Sequence, residues 1–132
     1  MRKDIIAARI YAVVSFFVIA FQIALALGAP WGAYAMGGAF PGQFPPEFRV
    51  AAVVQAVILA GLALVVLARA GITLSKWART SRWLIWVVVA FSALSLFLNL
   101  ITPSARERAI WAPVALVMLT SSVIVAISKP SK

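Results

Sequence analysis

The chain has 132 residues, 64% of them hydrophobic, a net charge of +9, and neither cysteine nor histidine. That composition excludes disulfides, thiolate or Ser-His-Asp catalysis, zinc and iron–sulfur centres and histidine-ligated haem, so no metal and no cofactor are expected. With a mean hydropathy of +1.06 and basic residues that flank apolar runs, it reads as one integral membrane domain in contact with anionic lipid, and not as a nucleic-acid binder.

The first apolar run, Ile10 to Leu27, follows the basic segment MRKDIIAAR. It is long for a signal-peptide core and is read as a retained span. Gln22 lies five residues before its far end.

The stretch LGAPWGAYAMGGAFPGQFPPEF, Leu27 to Phe48, comes next. It holds five of the seven glycines, four of the seven prolines and five aromatics, with no charge before Glu47. A flexible tether lacks such aromatics. The segment is therefore expected to be ordered against the helix ends, either covering a ligand or plugging the bundle. Trp31 and Tyr34 are its candidate ligand contacts.

The second span, Val50 to Leu67, is preceded by Pro45-Pro46. Glu47 falls in its first turn, where a carboxylate suits the helix dipole. Gln55 lies five residues inside. Ala52, Ala56, Ala60 and Gly61, with Ala20 and Ala24 of the first span, suit close helix packing. Gly71 is placed to end the helix in a left-handed conformation.

The third span, Trp83 to Ile101, has Thr80 or Ser81 as its expected N-cap and carries Asn99 two residues before its far end. The turn TPSARER follows. Ser104 and Glu107 have the S-x-x-E spacing of a capping box ahead of the fourth span, Ala109 to Ile127. Trp111 and Pro113 lie near the start of that span.

Each run has 18 or 19 residues and no charge inside. At 1.5 Å per residue each spans roughly 27–29 Å, about the hydrocarbon thickness. Nine of the twelve Lys and Arg residues fall at the termini and in the middle loop; only Arg49, Arg106 and Arg108 fall on the other side. The positive-inside rule then puts both termini in the cytoplasm. The expected fold is all-α: one four-span bundle over residues 1–132, N-in and C-in, with Leu27 to Phe48 outside.

Polar groups within spans are costly, so their depth is informative. Gln22, Gln55 and Asn99 all fall in the outer third, beneath the unusual loop. The simpler reading is that they glue helices together. The sharper one is that they converge on an outward-opening pocket with Trp31, Tyr34, Glu47, Glu107 and Trp111 above them. Both glutamates already have helix-start roles.

Three strings, LGAPWGAYAMGGAFPGQFPP, RVAAVVQAVIL and NLITPSARERAIWAPVALVML, together resemble a family of small bacterial four-span membrane proteins with no activity attached. The resemblance covers most of the chain. It implies the bacterial cytoplasmic membrane and transfers no catalytic residue.

The leading functional expectation is binding of an apolar or amphipathic, lipid-like molecule at the outer end of the bundle. Alternatives are an oligomeric channel or transporter, or an accessory subunit packed on a larger membrane partner. Catalysis is the least favoured, because titratable groups are so few. The expected partners are membrane lipids, an apolar small molecule, and a second copy or larger membrane protein.

Overall fold

The structure is a computed structural model that describes residues 2–35, 38–72 and 75–128. Lys129 and Lys132, counted above for topology, lie outside the described residues. Among the described residues there are four long helices and no strand: α1 (Lys3–Ala26), α2 (Pro46–Arg69), α3 (Ala78–Ile101) and α4 (Ala105–Ile127). Each is long and apolar enough to cross a membrane.

The helices begin several residues before the apolar runs. Main-chain hydrogen bonding continues into the charged flanks there, so hydropathy misses the N-terminal ends, while the C-terminal ends fall within two residues of the ends of the runs. This corrects the cap expected for α3. A 3-10 turn over Ser75–Trp77 feeds straight into the helix, Trp77 is the N-cap, and Ser81 is buried within the first turns.

The other ends follow local chemistry. Gly28 and Gly71 adopt φ +102° and +78°. After α1, Gly28 N–H donates to Leu25 O and Ala29 N–H to Ala24 O; after α2, Gly71 N–H donates to Ala68 O and Ile72 N–H to Leu67 O. Both are Schellman closures, which need a left-handed residue where a side chain would be strained. Ser104 caps α4, its Oγ accepting from Glu107 N–H at 3.1 Å.

The helices run alternately up and down, in the ring order α1, α2, α3, α4, with α4 closing against α1. The pairs α1–α2 and α3–α4 pack most closely, and α2–α3 is the loosest of the adjacent pairs. Ala52 and Ala56 are buried as expected, but Ala20, Ala60 and Gly61 face outward. Large apolar side chains such as Phe16, Phe17, Val57 and Leu94 are more than half exposed, an outside suited to lipid.

The main core lies toward the end that carries the termini, around Tyr11, Val66, Ile85, Val88 and Val125, all fully buried. That end is tied by arginines. Arg69 is buried and its Nη2 donates to Ser128 O at 2.6 Å and Ala126 O at 3.4 Å, satisfying carbonyls at the end of α4. Arg2 pairs with the buried Asp4 and reaches Ala70 O. A smaller core, Leu25, Phe44 and Ala52, lies at the opposite end.

Candidate functional site

Between the two cores the bundle is not filled. A cavity of about 690 Å³ occupies the half opposite the termini. It falls in the size range of small-molecule sites.

The roof comes from the segment between α1 and α2. It crosses over itself: Gly32 N–H donates to Gly42 O at 2.8 Å. A Cβ on Gly32 would lie 1.8 Å from Phe40 O, so only glycine permits this crossing. Phe40, Phe44 and Phe48 form a ring cluster with centroids 4.4–6.3 Å apart. Arg49 Nε donates to Phe44 O at 2.8 Å. Two bonds moor the roof to α4: Trp111 Nε1 donates to Tyr34 O at 2.7 Å, and Ser104 Oγ donates to Ala33 O at 2.9 Å. Tyr34, Ala35, Phe44 and Phe48 face the cavity. The segment therefore covers a space instead of plugging the bundle.

The walls come from all four helices. Six of the eight residues singled out from the sequence line this one cavity: Gln22, Tyr34, Gln55, Asn99, Glu107 and Trp111. The other two do not. Trp31 is 46% exposed and stacks on Phe21, which in turn packs against Trp111. Glu47 is exposed in the first turn of α2, where its dipole role suffices.

The amides are not interhelical glue. Asn99 Nδ2 donates to Ser95 O of its own helix at 2.7 Å. Among the described residues no hydrogen bond joins Gln22 or Gln55 to another helix, and Gln55 is exposed.

The opening lies between α2 and α3. Ile58 on α2 and Leu94, Leu98 and Ile101 on α3 line the cavity and are 44–59% exposed. The gap thus faces sideways, toward whatever surrounds the bundle, and not along its axis. Toward the termini the way is shut by the main core.

Sequence reasoning missed Ser92 and Ser95. Their signal was the spacing: Ser92, Ser95 and Asn99 stand at i, i+3 and i+7, one stripe of α3. Tyr11, Ser15 and Gln22, at i, i+4 and i+11, form a matching stripe on α1. Among the described residues the lining includes no Lys or Arg, and Glu107 is its one acid. Among the described residues no cluster of side chains could hold a metal.

No protein-family model matches the chain, and neither a curated protein nor a solved structure is similar enough to it to match, so the site is read from its own geometry.

Proposed function

We propose that this is a four-span protein of the bacterial cytoplasmic membrane, with both termini in the cytoplasm, that binds a lipid-like molecule in the cavity at its extracytoplasmic end. The observation that carries the reading is the cavity's form. It is roofed by a moored aromatic segment, largely apolar, and open sideways between α2 and α3. A ligand that arrives through the bilayer needs a side entrance; one that arrives from water does not. The apolar walls suit a chain or ring system, and a few amides and hydroxyls supply orientation. The basic residues gathered at the end with the termini support the orientation. The packed core around Val66, Ile85 and Val88 leaves a single copy without a path through, which weighs against a channel within one chain.

The test is lipid retention. The protein is extracted in mild detergent, and bound organic molecules are quantified by mass spectrometry, beside a Ser95→Trp variant whose indole obstructs the cavity. A stoichiometric apolar ligand lost in Ser95→Trp is expected. Equal, nonspecific lipid in both would overturn the reading.

A further inference from the structure

Resting on that binding reading, we infer that the inner end of the cavity is a hydrogen-bonding subsite for an uncharged polar group, a hydroxyl or carbonyl, at the leading end of an otherwise apolar ligand. The carrying observation is Ser92. It lines the cavity, is 3% exposed, and its Oγ has no hydrogen-bond partner.

A serine inside a helix ordinarily gives its proton to the carbonyl three or four residues back. Ser122 does so, with Leu119 O at 2.9 Å, and Ser128 does so with Ile124 O. Ser92 and Ser15 do not; both are buried with unpaired oxygens. The Tyr11 hydroxyl, also fully buried, lies close to Ser92 across the bundle, with no hydrogen bond of normal length and angle between them. Three unpaired hydroxyls thus belong to the two polar stripes of α1 and α3.

Their levels agree. Arg69 lies near both Asp4 and Arg82 at the end with the termini. Counted from there, Ser15 is about 16 Å and Ser92 about 15 Å along its helix, at 1.5 Å per residue. That is mid-bundle, where the cavity ends.

Unpaired buried hydroxyls are costly, and a methyl end seated on Ser92 would leave them so. A group that both accepts and donates would pair with Ser92, the one of the three that lines the cavity. The group is uncharged, because among the described residues the lining holds no Lys or Arg and its one acid, Glu107, belongs to the start of α4 at the roof end. The ligand therefore enters polar end first, with its apolar body lying toward the gap between α2 and α3.

The experiment compares dodecanol with chlorododecane, which has a similar shape but no hydroxyl. Each is titrated into the full-length protein in detergent, and affinity is read from the shift in unfolding midpoint. The proteins are wild type, Ser92→Ala, Tyr11→Phe and the cavity-obstructed Ser95→Trp. The two probes partition differently into detergent, so each affinity is corrected for its probe's own measured partitioning.

Dodecanol is expected to bind wild type about tenfold more tightly than chlorododecane, the value of about one hydrogen bond. Ser92→Ala abolishes that preference by weakening dodecanol alone, and Tyr11→Phe reduces it. Ser95→Trp weakens both probes. If both probes bind wild type equally and Ser92→Ala changes nothing, the subsite is overturned while the cavity reading stands. If Ser92→Ala and Tyr11→Phe lower the midpoint without probe and leave selectivity intact, the hydroxyls hold an internal water and the subsite is again overturned. If neither probe shifts wild type more than Ser95→Trp, the binding reading itself fails.

Discussion

The indole of Trp111 in α4 donates its Nε1 proton to the carbonyl of Tyr34, 2.7 Å away and 77 positions earlier in the chain. With the Ser104–Ala33 bond, it joins the roof of the cavity to its wall. Trp111→Phe keeps most of the ring packing on Phe21 and removes the donor. It is expected to cost about 1 kcal/mol, with Tyr34 O left to find water. Denaturant unfolding in micelles would read the loss, and hydrogen exchange should rise first in residues 31–35.

The roof also depends on close main-chain approach at Gly32. Because a Cβ there would lie 1.8 Å from Phe40 O and 2.7 Å from Gly42 O, Gly32→Ala must push the two crossing passes of the roof apart. A loss of about 1–3 kcal/mol is expected, in the range of overpacking. Gly61→Ala is the matched control. A Cβ at Gly61 would meet nothing within 4 Å, so the helix gains about 0.5–1 kcal/mol. Opposite shifts in unfolding midpoint check both statements at once.

Gln55→Leu tests whether the amides act on folding or on ligand. Gln55 is exposed at the edge of the gap and joins no other helix, so stability should stay within about 0.5 kcal/mol of wild type. Ligand retention should nonetheless change. A loss of 1 kcal/mol or more, with retention intact, would restore the helix-glue role.

The orientation is tested by chemistry the chain itself lacks. It contains no cysteine, so single thiols report without background. Gln43 and Lys76 are both exposed, at opposite ends of the bundle. In intact cells a membrane-impermeant maleimide should label Gln43→Cys and not Lys76→Cys. After permeabilisation both should react. The reverse pattern would invert the proposed topology.

Much of this molecule is written in local terms. Apolar runs of membrane length, the glycines that close α1 and α2, and the Ser104 cap of α4 each depend on residues within a few positions of one another. Hydropathy, φ preference and capping are short-range properties, so the sequence alone determined the four helices and their order. It also pointed to Gln22, Gln55, Asn99 and Trp111, because an amide in a span or an aromatic at its end is conspicuous by type.

What tertiary structure decided is which faces turn inward and which neighbours fail to meet. In a soluble helix the polar face names the outside. Here lipid and core are both apolar, so a helix gives little sign of its inner face. Nothing in the sequence distinguished Ala52, which is buried, from Ala60, which is exposed. Glu107 and Glu47 had equal claims until packing brought one to the cavity and left the other outside. The looseness of α2 against α3, and the meeting of Tyr11 with Ser92 from opposite helices, arise from contacts between residues far apart in the chain. No window of sequence contains both partners, and the cavity exists only in the space they leave between them.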